Sequence, residues 1–345
     1  MKHAVLLPLI FLGLLSACSH PPGEHHEQLL VFGTLVDVKL WGVEEQAATK
    51  AVAQLDDDFE YMHRTWHAWH PGALGRINQL LPSGETFSGA PSVLPLIRRG
   101  TELSEASGGL FNPAIGKLIA LWGFASDDPP HGPPPDPKAI HAILDQHPSM
   151  ADIMVNGIQL RCTNPAVKLD FGAFAKGYAV DRAIERLREM GIHNAVVNAG
   201  GDLRAIGRHG DRPWRVGIRH PRAPGVLAAV EVEGDESVFT SGDYERYFMY
   251  QGKRYDHIID PRTGRPAQGT ASVTVFADQA DLADAAATAL FVAGPKDWLP
   301  VARRMGVKGV LLVDTEGKIY MTPSLKDRIR FEQDPPPPVI MSEPL

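Results

Sequence analysis

The sequence has only two cysteines in 345 residues, Cys18 and Cys162. At most one disulfide can form, so a disulfide-stapled scaffold is excluded, and Cys162 is expected as a free thiol because Cys18 ends an N-terminal apolar stretch. That stretch, residues 4–15, falls short of the roughly 20 apolar residues a spanning helix needs. Positive charge is not in excess either: 34 Lys and Arg stand against 41 Asp and Glu. A formal charge of −7 leaves no basic footprint for a nucleic-acid backbone, and no nucleic-acid partner is expected. There is no repeat of fixed period and no GxGxxG, so a Rossmann dinucleotide site is rejected. His63, His67 and His70 fit no common zinc spacing and are expected on a surface loop. What is present is an ordinary globular composition, 44% hydrophobic and 22% charged, which excludes wholesale disorder.

Residues 1–17 have the order of a signal peptide: the basic Lys2, the apolar run, then the small Ser16 and Ala17. Leu15-Ser16-Ala17-Cys18 resembles a bacterial lipobox, whose cysteine is diacylated and becomes the new N-terminus; a soluble secreted protein cut nearby is the alternative. The lipobox places the chain in the cell envelope, anchored to a membrane by lipid at Cys18 on the periplasmic, extracytoplasmic side. Residues 18–27, with Pro21, Pro22 and Gly23, suit a tether. Residues 28–331 are expected as one domain and the proline-rich residues 332–345 as a disordered tail.

Within the domain, Gln28 to Leu40 alternates and is rich in Val and Leu, as a strand should be. Helical spacing marks residues 44–62, 92–107, 175–190, 281–292 and 295–305, the second stopped by Gly108-Gly109. Strands are expected near Asn194, Trp214, Leu227, Phe239, Tyr255 and Ser272, and a hairpin over residues 308–321. DDPPHGPPPDP, residues 127–137, is an exposed loop inside the domain. The mixture is α+β, with a mixed, largely antiparallel sheet and packed helices.

Asp284 and Thr288 stand four apart on one helix face, a carboxylate and a hydroxyl that suit a hard cation such as Mg²⁺. The same pair would also serve as a dipole-stabilising Asp and a packed Thr. In Tyr255-Asp256-His257-Ile258-Ile259, strand alternation puts His257 and Ile259 on one face ahead of the turn Asp260-Pro261-Arg262-Thr263-Gly264. An ordinary His pKa near 6.5 leaves His257 a useful neutral fraction at pH 7 for general-base work, although a lone His is more often a surface or core residue. Leu169-Asp170-Phe171-Gly172-Ala173-Phe174-Ala175-Lys176-Gly177 leads into a helix, where backbone amides and Lys176 make an anion site; a helix cap is the plainer role for Asp170. Asn198-Ala199-Gly200-Gly201-Asp202 permits close backbone approach to a ligand. Trp66 and Trp69 can stack on a flat heterocycle or pack a core.

Taken in order, these segments together with Phe32-Gly33-Thr34, GRIN, Gly109-Leu110-Phe111-Asn112-Pro113, LWGF, TSGDY and HIIDPRTGRP resemble the FAD:protein FMN transferase (ApbE) lipoproteins over nearly all of the mature chain. The resemblance implies one α+β flavin transferase domain that splits the pyrophosphate of FAD and transfers FMN to a Ser or Thr hydroxyl of a partner flavoprotein, such as a membrane electron-transport subunit. The resemblance likewise implies release of AMP and Mg²⁺ as the cofactor. It implies metal ligands at Asp284, Thr288 and the Ala173 carbonyl, and FAD contacts at Phe32, Trp66, Leu110, Phe111, Asn112, Asp170, Lys176 and Ile259. Some relatives carry an Asp where this chain has Ala287, which leaves that ligand position open to water. His257 is the candidate base for the attacking hydroxyl. Hydrolysis of FAD to FMN and AMP, and flavin binding without catalysis, are the competing functions.

Overall fold

The structure is a computed structural model that describes residues 23–126, 128 and 130–345, so Cys18, the signal segment and the first half of the expected tether lie outside it, while residues 24–27, expected as tether, already belong to the strand Glu24–Val31. Among the described residues nine strands form the central sheet, in the order Glu24–Val31, Thr34–Trp41, Ala195–Ala199, Asp202–Gly207, Gly234–Gly242, Thr270–Ala277, Gly309–Asp314, Ile319–Met321 and Val339–Met341. Every neighbouring pair is antiparallel except the last, which is parallel. The fold is therefore α+β with a mixed, largely antiparallel sheet.

Period-two alternation sends side chains into two apolar layers. Val310 and Leu312 face the larger core, built with the helices Glu45–Trp66, Leu94–Ser107, Ala175–Glu189 and Ala280–Met305. Leu311 and Val313 face the opposite way, against a smaller sheet of Trp214–Arg219, Val226–Val232 and Ile329–Phe331. The strand Thr270–Ala277, TASVTVFA, is buried along its whole length, as its run of small and β-branched residues requires when both faces are covered.

Several elements depart from expectation. Val339–Met341 pairs with Ile319–Met321, and Arg303 donates to the Pro344 carbonyl, so the stretch expected as a disordered tail supplies an edge strand. His257 is not on a strand; the strand begins at Ile259, because residues 257–258 bend to return the Ala267 N–H to the Ile258 carbonyl. The two C-terminal helices abut at Gly294, whose φ of 75° breaks the helical run before Pro295. Cys162 is a buried free thiol, as expected.

Candidate active site

A cavity of about 680 Å³ opens at one end of the central sheet. Volumes of this order suit a cofactor-sized ligand. Its wall is assembled from distant segments: the Phe32–Gly33 turn, the end of the Glu45–Trp66 helix with the loop to His70, residues 110–113, the 170–176 approach to the next helix, Ser241, Arg246, the 257–261 segment and Thr288. Of the residues singled out in the sequence, Phe32, Trp66, Leu110, Phe111, Asn112, Asp170, Ala173, Lys176, His257, Ile259 and Thr288 all line it. Asp284 lies one turn before Thr288 on the same helix and is buried.

The local causes of this arrangement can be traced. Asn78, the last residue of GRIN, donates to the Leu169 carbonyl at 2.8 Å and accepts from the Leu169 N–H at 2.7 Å, which fixes the backbone immediately before Asp170. The Asp170 carboxylate accepts from the Gly172 N–H and from the indole of Trp69, both at 2.9 Å. Phe32 holds a left-handed turn at φ 56°, uncommon for a bulky residue, and its ring meets Phe59 and His63 edge-on.

The two tryptophans divide their work. Trp66 is only 9% exposed and its indole donates to the Ser92 carbonyl at 2.9 Å, so most of its ring is packing. Trp69 presents more of its ring and ties Asp170 to the opposite wall, where the Arg246 guanidinium lies 5.3 Å from the ring centre. His63, His67 and His70 line the cavity; His63 meets His67 edge-on, and His67 stacks on His70 at 4.0 Å between ring centres. His63 sits on the helix Glu45–Trp66, whereas His67 and His70 lie in the loop expected, with His70 exposed.

Charge concentrates around Lys176. Its ammonium is paired with Asp202, whose other oxygen accepts from the Thr240 N–H at 2.8 Å. Burial alone would lower the Lys176 pKa, but the carboxylates of Asp202 and Asp284 override it and raise it, keeping the charge. Asp202 was not foreseen as a site residue: its partner is 26 positions away, and only a carboxylate following the tight Gly200-Gly201 turn signals it. Burial drives the Asp284 pKa upward, and the one hydrogen bond its carboxylate accepts among the described residues is from the Gly177 N–H at 3.0 Å.

Among the described residues no cluster of three or more His, Cys, Asp or Glu is arranged to hold a metal. The donors at hand are oxygens of other kinds: one buried carboxylate short of partners, the Thr288 hydroxyl 3.4 Å from Ser241 Oγ, and the backbone at Ala173. Such a set fits a hard, strongly hydrated ion that keeps several of its waters, as Mg²⁺ does, and does not fit zinc.

His257 is half-buried, with Nδ1 3.1 Å from the Arg246 carbonyl. A carbonyl can only accept, so Nδ1 carries the proton and Nε2 keeps a lone pair. Burial, then the positive charges of Arg246 and Lys176, push the His257 pKa down to about 4, against the ordinary value expected from sequence. The ring is neutral throughout the physiological range.

The ApbE family model matches residues 32–311. FAD:protein FMN transferase of Rhodobacter capsulatus is 44% identical over 94% of this chain, which spans 62% of that relative's length. The enzymes of the same name from Treponema pallidum and Vibrio cholerae are each 31% identical, over 89% and 93% of this chain and 89% and 97% of their own. Among solved structures, an ApbE protein of Thermotoga maritima superposes with a TM-score of 0.81 at 30% identity, covering 89% of this chain and 99% of its own. The apo flavinyl transferase ApbE of Pseudomonas stutzeri does so at 0.78 and 29%, covering 89% and 97%. With a match across this much of the sequence and the same α+β architecture, the chain belongs to the ApbE family, whose named relatives are FAD:protein FMN transferases.

Proposed function

We propose that this enzyme is a Mg²⁺-dependent FAD:protein FMN transferase that moves FMN from FAD to a Ser or Thr hydroxyl of a target flavoprotein through a phosphoester bond, releasing AMP. The observation that carries the reading is the meeting, at one cavity, of a retained cation, Lys176, an oxygen-donor set and a neutral imidazole with an available Nε2. When bound, Mg²⁺ neutralises pyrophosphate charge and stabilises charge on the departing phosphate. Asp284, Thr288 and the Ala173 carbonyl would hold it. Lys176 adds a fixed positive charge beside the phosphates. Phe32, Trp66, Leu110, Phe111, Asn112, Asp170 and Ile259 form the apolar and hydrogen-bonding walls for FAD, and the cavity's burial limits competing water. His257 Nε2 accepts the proton of the attacking hydroxyl, while Nδ1–H stays on the Arg246 carbonyl and holds the ring's orientation.

Lipid attachment at Cys18 would hold the enzyme on the periplasmic side of a bacterial membrane, near membrane-bound acceptors. No helix among the described residues is long and apolar enough to cross a membrane. The test is to incubate the enzyme with FAD, Mg²⁺ and an acceptor flavoprotein and to look for protein-bound flavin by in-gel fluorescence. A fluorescent acceptor band supports transfer; free FMN and AMP without it assign hydrolysis, and unchanged FAD overturns catalysis.

A further inference from the structure

Asp181 lies on the Ala175–Glu189 helix, one turn beyond Gly177, and is buried. Its carboxylate does not serve its own helix. One oxygen accepts from the Ala280 N–H at 2.8 Å and the other from the Asp281 N–H at 2.9 Å. These are the first two amides of the Ala280–Met305 helix, whose preceding residue, Gln279, makes no side-chain cap. Four orphan amides open every helix, and here a neighbouring helix satisfies two of them. Arg204 neutralises the same carboxylate: it donates to Asp181 at 2.5 Å, and makes two further bonds, of 2.8 and 2.9 Å, to Asp235, which does not touch the capped amides.

The capped helix carries Asp284 three residues after Asp281, and Thr288 one turn later. One turn back on the capping helix, the Gly177 N–H reaches the Asp284 carboxylate; Lys176 lies in the first turn of that helix and Ala173 just ahead of it. The two helices are therefore joined by two rungs, with Gly177 letting the backbones touch between them. Arg99 holds the Asp281 side chain at 2.7 and 3.1 Å, which leaves the backbone amides to Asp181.

We propose that Asp181 is a positioning residue for the metal-binding oxygens: it caps, from a different helix, the helix bearing Asp284 and Thr288, and so sets their height and rotation relative to Ala173 and Lys176. This rests on the Mg²⁺ reading above. Partners one shell out from a metal commonly matter by about 10- to 100-fold in affinity, because they fix the direction of the ligand lone pairs.

The test uses Mn²⁺ as a paramagnetic probe, titrated by electron paramagnetic resonance into the enzyme with FAD and no acceptor. Asp181→Asn replaces one acceptor oxygen by a donor, and should weaken Mn²⁺ binding about tenfold or more while leaving metal-free FAD affinity unchanged. Asp235→Asn removes part of the same ion network without touching the cap, and should leave Mn²⁺ affinity as in wild type. If Asp181→Asn folds poorly, the double variant Asp181→Asn with Arg204→Gln avoids leaving a buried guanidinium with one carboxylate partner in place of two, and must show the same loss. Mn²⁺ affinity within about twofold of wild type in either cap variant, or an equal loss in Asp235→Asn, overturns the proposal. Wild type that binds no Mn²⁺ in the presence of FAD overturns the metal reading itself, and the positioning role with it.

Discussion

Acidification tests the surroundings of His257 directly. A fall of its pKa from 6.5 to about 4 corresponds to at most about 3.4 kcal/mol against the imidazolium, and exposure of the ring at the cavity screens part of that. The sign follows from proton counting. Between pH 6.5 and about 4 the unfolded chain binds a proton on this ring that the folded chain does not, so stability falls as pH falls through that window. Above 6.5 the residue contributes no pH dependence. The measurement is single-turnover FMN transfer at saturating FAD and Mg²⁺ from pH 5.5 to 8.5, beside urea denaturation of wild type and His257→Gln from pH 4.5 to 7.5. Saturating Mg²⁺ matters because Asp284, itself raised by burial, would otherwise let protons compete with the metal. Wild-type transfer should show no acid limb from His257 in this range. The variant should be slower by roughly 10²- to 10⁴-fold and should lose less stability below pH 6.5. An acid limb centred near 6.5 in wild type, absent from the variant, would refute the buried neutral imidazole.

Gly177→Ala would set a Cβ 2.3 Å from the Ala280 carbonyl oxygen, a backbone atom that cannot swing aside. The overpacking should cost about 1–3 kcal/mol and cancel or outweigh the about 1 kcal/mol gained in helix propensity, and a urea midpoint raised by that full gain would deny the close contact. Asp284→Ala should abolish calorimetric Mg²⁺ binding in the presence of FAD, and Thr288→Ala should weaken it less, because a neutral ligand attracts the ion less strongly; equal affinities would remove Asp284 from the site. Trp66→Ala should destabilise by about 3–5 kcal/mol, whereas Trp69→Phe should fold normally and raise the KM for FAD by loosening Asp170; the reverse pattern in thermal unfolding and kinetics would exchange their roles. Cys18→Ala should move the protein from the membrane fraction to the soluble fraction with its activity intact, and tight binding of the variant to washed membranes would count against the anchor.

Features set by local periodicity were legible in the sequence. Asp284 and Thr288 share a face because they are one helical turn apart, and the strand-forming runs of Val and Thr place themselves. Features set by distant chain were not. The pKa of His257 depends on burial and on Arg246 and Lys176, none of which a strand pattern reveals. The pairing of Lys176 with Asp202 and the cap from Asp181 to Ala280 join segments that only the fold brings together. The edge strand Val339–Met341 is three residues long and follows a run of prolines, so its composition speaks for a tail while its pairing makes a strand.

The break at Gly294 ties two distant stretches of sequence into one unit of inheritance. Where the helix stops, the Phe291 carbonyl is taken by the Thr270 hydroxyl at 3.0 Å and the Val292 carbonyl by Arg262 at 3.1 Å. Arg262 is itself held by Asp260 within DPRTG. That turn therefore finishes the helix that bears Asp284, in addition to shaping the cavity wall. A lineage that lost Arg262 would gain by losing the break, and one that continued the helix through position 294 would be released from keeping an arginine at 262. Homologous sequences, once aligned, should show positions 262 and 294 changing together more often than either changes with the residues between them.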